Sequence, residues 1–149
     1  MSATDTAGAI QILMVEDSLD DIEITTEALT DAKVRCNLHA VRDGVQAMAY
    51  LRRQGEFEDA MRPDVIFLDL NMPRMDGRQV LDQIKSDPKL QKIPVVVLTT
   101  SEADEDILKA YELHANCYIT KPVDMKQFIK VVRSIEDFWF TVVRLPPEE

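Results

Sequence analysis

Val65-Ile66-Phe67-Leu68-Asp69 runs into Leu70-Asn71-Met72-Pro73-Arg74-Met75-Asp76-Gly77. Four apolar residues end abruptly at a carboxylate, and turn formers follow. This reads as a buried strand that stops at Asp69 and hands over to a loop. A helix carrying Val80, Leu81 and Ile84 comes next and stops before Pro88. The same cadence recurs on both sides. Upstream, Ile10-Gln11-Ile12-Leu13-Met14-Val15 ends in Glu16-Asp17. Downstream, Pro94 opens Val95-Val96-Val97-Leu98, which ends at Thr99-Thr100-Ser101.

Further elements fill the gaps. A helix is predicted over 20–32, with Ile22, Leu29 and Ala32 at helical spacing and Asp20, Asp21 and Glu23 in a first turn that favours carboxylates. Asn37 to Val41 is a shorter strand. Asp43 caps a helix carrying Val45, Met48, Ala49 and Leu51, which Gly55 stops. Glu56 to Arg62 reads as a solvated polar loop. Asp104 to Leu113 is a helix, Cys117-Tyr118-Ile119 a fifth strand leading to Thr120-Lys121-Pro122, and a last helix runs from about Asp124 to Val143. Strand and helix thus alternate five times. Strands that are apolar throughout belong to a parallel sheet covered by helices on both faces. Such sheets place their sites at the carboxyl ends of the strands.

The composition limits the function classes. With 149 residues there is one buried core and no room for a second ordinary domain. A net charge of −10 argues against nucleic acid as the main partner. No apolar run approaches the ~20 residues that span a membrane. Cys36 and Cys117 make no disulfide framework and read as small buried groups. The first residues lack a basic and apolar leader, so a cytoplasmic location is expected. The Met1 start and the Pro146-Pro147-Glu148-Glu149 end are read as those of a complete protein. His39, on an edge-strand candidate, and His114, at a helix end, are expected to be solvated or structural.

The strand ends carry the chemistry. Glu16, Asp17 and Asp69 come to one edge with Thr99 and Lys121. One carboxylate there is ordinarily a cap or a turn residue. Three facing each other repel, and one lysine leaves the group at −2. A divalent cation cancels that, and hard oxygen donors without clustered His or Cys favour Mg²⁺ over Zn²⁺. A carboxylate beside Mg²⁺ can attack phosphorus and form an acyl phosphate. Asp69 is the best nucleophile, being central in the strand order and heading a loop with free backbone N–H groups. Glu16 and Asp17 then hold the metal, while Thr99 and Lys121 bind phosphoryl oxygens.

These motifs, in this order and covering about residues 10 to 137, resemble the receiver domain of two-component response regulators. The resemblance implies a flavodoxin-like (βα)5 doubly wound parallel sheet of order 2-1-3-4-5. It implies phosphorylation of Asp69 by a sensor histidine kinase. It also implies Mg²⁺ ligation by Asp17, Asp69 and the Asn71 carbonyl, with Glu16 acting through water. Thr99 and Tyr118 become switch residues. Thr100, where Ala or Gly is common, departs from the pattern and narrows access to the phosphoryl group. The Gly55–Pro63 insertion and the Ile135-Glu136-Asp137-Phe138-Trp139-Phe140 tail look similar to single-domain receivers that accompany cyanobacterial and other bacterial phytochromes. The expected organisation is one receiver domain over 1–149, with a core of about 10–137 and a C-terminal helix extension of about 138–149. One helix face cannot bury Phe138, Trp139 and Phe140 together, so a homodimer through that helix is expected.

Other readings compete. A haloacid-dehalogenase-type phosphatase wants a second Asp two residues after the nucleophile, where Asn71 stands. A flavodoxin wants a phosphate-binding loop after strand one, where Glu16-Asp17 would repel phosphate. Within the family, a chemotaxis-type or other stand-alone receiver remains open, whereas the ends of the chain are read as arguing against a fragment of a DNA-binding regulator.

Overall fold

The computed structural model describes residues 10–31, 35–69, 77–99 and 117–120, the last four and Thr99 by their backbone. Five strands form one parallel sheet: β1 (Ile10–Val15), β2 (Cys36–Val41), β3 (Val65–Asp69), β4 (Val95–Thr99) and β5 (Cys117–Thr120). Their spatial order is β2-β1-β3-β4-β5, the order that the receiver resemblance implies. Among the described residues the helices are α1 (Leu19–Asp31), α2 (Gly44–Leu51) and α3 (Gly77–Ser86), with a 3-10 turn at Gly55–Phe57. The order reverses direction after β2. Right-handed crossovers therefore place α1 on one face of the sheet and α2 and α3 on the other.

The strands alternate between those two faces. Leu13, Val15, Ile66, Leu68, Val95 and Val97 join Ala47, Met48, Tyr50 and Leu51 of α2 and Val80, Leu81 and Ile84 of α3 in one buried cluster. Ile12, Met14, Val65, Phe67, Val96 and Leu98 have the opposite parity and are also buried. From α1 come Thr25, Ala28 and Leu29. Burying each large apolar side chain contributes roughly 1.5–3 kcal/mol, which makes β3, buried at all five residues, the centre of the structure.

Local details differ from the sequence expectation in instructive ways. Helix α1 starts at Leu19, so Glu23 falls in its second turn; Leu29 is buried as expected, Ile22 is half-buried, and Thr25 and Ala28 complete the inward stripe. The Thr25 hydroxyl is tolerated there because it donates to the Asp21 carbonyl at 2.9 Å. Ala32 lies outside the described residues. Asp43 does cap α2, its Oδ1 accepting the Gln46 N–H at 2.8 Å. Val45, however, faces solvent, and Ala47 and Tyr50 point inward instead. The helix ends at Leu51, well before Gly55. Arg53 takes the left-handed conformation with φ 54°. Its N–H donates to Tyr50 O, and the Gln54 N–H donates to Ala49 O. This is the paired closure that usually recruits glycine. Gly55, with φ 59°, opens the 3-10 turn.

Strand β2 is not buried throughout: it is an edge strand, half-buried over residues 36–38 and exposed at His39 and Ala40. Cys36 is accordingly half-buried rather than core, and the Cys117 side chain lies outside the described residues. The segment after α2 is more than a solvated loop. Phe57 and Ala60 pack against the core, and Phe57 meets Tyr50 edge-on at 5.4 Å, with His39 5.0 Å from the same ring. Burial pushes the Tyr50 phenol pKa up, against the opposing pull of the Arg53 guanidinium. Lys85 of α3 reaches back to the loop before β4, donating to the carbonyls of Gln91 and Ile93 at 3.2 Å each. No helix among the described residues is long and apolar enough to cross a membrane. The expected helices over 104–113 and 124–143, and His114, lie outside the described residues.

Candidate functional site

Register determines which strand ends meet. Val15 is level with Leu68, so Glu16, the residue after β1, comes level with Asp69. Asp69 is level with Leu98, and Thr99 with Thr120. The ends of β1, β3, β4 and β5 therefore share one edge, with Lys121 next in the chain after Thr120.

Glu16, Asp17 and Asp69 come together there, offering carboxylate oxygens that all lie within 4.8 Å of one another. Glu16 is fully buried and Asp69 is 2% exposed, while Asp17 is half-buried. Glu16 and Asp69 have the parity of the α1 face, and their backbones are held by the sheet. The Glu16 N–H donates to Val41 O at 3.0 Å, extending the β1–β2 ladder by one rung. The Glu16 carboxylate also accepts the Ser18 N–H at 3.2 Å, and the Ser18 hydroxyl accepts the N–H of Asp21 in the first turn of α1. The loop between β1 and α1 is thus short and tied at both ends.

Buried like charges at this range are costly unless neutralised. Three carboxylate donors, with no His or Cys in the group, are the donor set of a hard divalent cation. The residues fit such an ion: the oxygens converge, and two of the three donors are set by the sheet before any ion arrives.

The other residues expected at the site divide into two groups. Thr99 and Tyr118 lie on β4 and β5, Tyr118 level with Val97, and these placements are of the backbone. Asn71, Thr100, Lys121, Phe138, Trp139 and Phe140 lie outside the described residues. One neighbour escaped the sequence reading. Arg42, the residue after β2, donates from Nε and Nη2 to the Asp17 carbonyl at 3.3 and 3.0 Å. The signal was available in outline, because β1 and β2 end level with each other at Val15 and Val41.

Comparison with known proteins agrees with this geometry. Residues 12–133 match the response regulator receiver domain. The response regulator Rcp1 of Synechocystis sp. is 50% identical over 135 residues, spanning 91% of this chain and 92% of Rcp1. The crystal structure of the phosphorylated cyanobacterial phytochrome response regulator RcpA superposes with a TM-score of 0.77 at 51% identity, covering 93% of this chain and 99% of that one. The Mn²⁺-bound form of Rcp1 gives 0.76 at 49% identity, covering 92% and 99%. A divalent cation in that relative accords with the acidic cluster at the strand ends. This chain belongs to the response regulator receiver domain family, with the flavodoxin-like α/β fold of two-component signalling.

Proposed function

We propose that the chain is a stand-alone phosphoacceptor that receives a phosphoryl group on Asp69 from a sensor histidine kinase of the phytochrome class. The observation that carries this reading is the convergence of the Glu16, Asp17 and Asp69 carboxylates, two of them buried, at the end of the central strand. Likeness to solved structures of regulators named for phytochromes supports the choice of kinase class.

In this reading the whole chain is one receiver domain, with its core at about 10–137 and a helical extension at about 138–149. A carboxylate oxygen of Asp69 attacks the phosphorus of the kinase phosphohistidine. The P–N bond breaks, the imidazole leaves, and an acyl phosphate remains on Asp69. Mg²⁺, when bound, supplies positive charge against the phosphoryl oxygens. Asp17, Asp69 and the Asn71 carbonyl would hold it, with Glu16 behind them. Lys121 pairs with a second phosphoryl oxygen. The Thr99 hydroxyl donates a hydrogen bond to a third, and Tyr118 turns with it as the output switch. The chain turns over no separate substrate. It acts in the cytoplasm, away from nucleic acid and membranes, and signals as a homodimer through Phe138, Trp139 and Phe140.

Acetyl phosphate with Mg²⁺ should label the protein, and Asp69→Asn should abolish the label. Label that survives in Asp69→Asn, and disappears when another carboxylate is changed, would contradict the assignment. For the dimer, sedimentation of wild type beside a Phe138→Asp, Trp139→Asp, Phe140→Asp triple variant, with and without beryllofluoride, is decisive. A wild type that stays monomeric at tens of micromolar in both states would rule it out.

A further inference from the structure

Asp17 is the least constrained of the three carboxylates. Glu16 is still in the β1–β2 ladder and Asp69 is the last residue of β3, whereas Asp17 sits in the two-residue link before α1 and is half-buried. Repulsion from Glu16 and Asp69 pushes its side chain towards water, and a short link alone does not prevent that. Arg42 bears on this link. Two donors of its guanidinium converge on the Asp17 carbonyl, at 3.3 Å from Nε and 3.0 Å from Nη2. Arg42 is itself anchored. Its own N–H donates to Gln46 Oε1 at 2.9 Å, and the Gln46 N–H donates to Asp43 Oδ1 at 2.8 Å. The start of α2, fixed by its cap, is therefore tied through Arg42 to the main chain of Asp17. Neighbouring Val41 holds the Glu16 N–H in the same way.

We infer that Arg42 is a positioning residue for the divalent-cation site, holding the Asp17 main chain so that its carboxylate stays beside Glu16 and Asp69 before the ion arrives. The inference rests on reading those three carboxylates as the cation site. A charge-only role would act in the opposite direction. A guanidinium near the site repels a cation, so removing it would tighten binding, weakly, because Arg42 is exposed and screened. Positioning requires the reverse. It also requires the planar fork, since one lysine ammonium is a flexible point charge that cannot place two fixed donors on one carbonyl. The Arg42 side chain takes no part in capping α2, so its loss leaves that cap in place and removes only the two exposed hydrogen bonds to the Asp17 carbonyl.

The test titrates Mg²⁺ into wild type, Arg42→Ala, Arg42→Lys and Asp17→Asn by calorimetry, with the Ser18 amide shift as a second readout and thermal melts in chelator as a third. Outer partners of metal ligands usually matter by 10–100-fold, and the exposure of this contact lowers the expectation to about three- to tenfold weaker binding in both Arg42 variants. Their metal-free melting temperature should stay at the wild-type value. Arg42→Ala binding Mg²⁺ as tightly as wild type, or more tightly, would overturn the inference. So would full rescue by Arg42→Lys, or a metal-free destabilisation large enough to account for the lost affinity. Asp17→Asn that binds like wild type would instead overturn the cation site itself, and the role of Arg42 with it.

Discussion

Asp69→Asn should make the metal-free protein more stable while removing the proposed acceptor. The reason lies in the buried pair. Glu16 and Asp69 are both almost completely shielded from water, and their oxygens lie within 4.8 Å. At that distance two unit charges repel by roughly 3.5 kcal/mol at an effective dielectric constant of about 20, and by about 0.9 kcal/mol in bulk water. Both residues also make other interactions, which moves the net gain from the amide towards the lower end, about 1–2 kcal/mol. For a chain of this length that corresponds to a rise in melting temperature of about 2–8 °C. Asp17→Asn should gain less, because Asp17 is half-buried and solvent screens it. Added Mg²⁺ should reverse the ranking. At a hundred times its dissociation constant an ion stabilises its site by about 2.7 kcal/mol, and wild type should collect most of this while Asp69→Asn collects little. Circular-dichroism melts in chelator and in Mg²⁺ measure both effects. An Asp69→Asn protein no more stable than wild type in chelator would refute the claim that the carboxylates strain the metal-free site.

Three further outcomes concern the fold. Arg53→Gly should stabilise the protein by about 1 kcal/mol, since a left-handed conformation costs a side-chain-bearing residue roughly 1–2 kcal/mol; a denaturant midpoint that falls would contradict this. Phe57→Ala should cost about 1–2.5 kcal/mol through the lost edge-on contact with Tyr50 and lost burial, lowering the urea midpoint at constant slope. Lys85 should leave a signature in alkaline solution. Burial lowers its pKa below the ordinary 10.5, so between the lowered value and 10.5 the folded state binds fewer protons than the unfolded state, and this group makes stability rise with pH. Below the lowered value its contribution is flat. Unfolding at a series of pH values up to about 11 should show that rise in wild type and its loss in Lys85→Met.

The parts of the molecule legible in the sequence are those set by burial. β1, β3 and β4 are apolar runs because both of their faces are covered, and each ends where a polar residue reaches the sheet edge. Once the strands are parallel, the meeting of Glu16 and Asp69 follows from where Val15 and Leu68 stop. Asp43 was legible as a cap because a short carboxylate before a helix has one obvious use. Features that depend on a specific partner were not. The sequence points to Gly55, the usual left-handed residue, as the end of α2, whereas Arg53 adopts that conformation with two backbone hydrogen bonds closing the helix. Phe57 looked like part of a polar loop because its pocket is made by Tyr50, on a different element. Arg42 looked like an ordinary surface cation, since its role depends on a carbonyl 25 residues away in sequence.

The proposed phosphorylation of Asp69 can be mapped chemically. The protein is phosphorylated by a phosphohistidine-bearing kinase in Mg²⁺, treated with borohydride to reduce the acyl phosphate, and sequenced by mass spectrometry. Homoserine is expected at position 69 alone, and none when Mg²⁺ is replaced by chelator. Homoserine at 16 or 17, or a phosphoryl group that resists borohydride and maps to a hydroxyl, would contradict it.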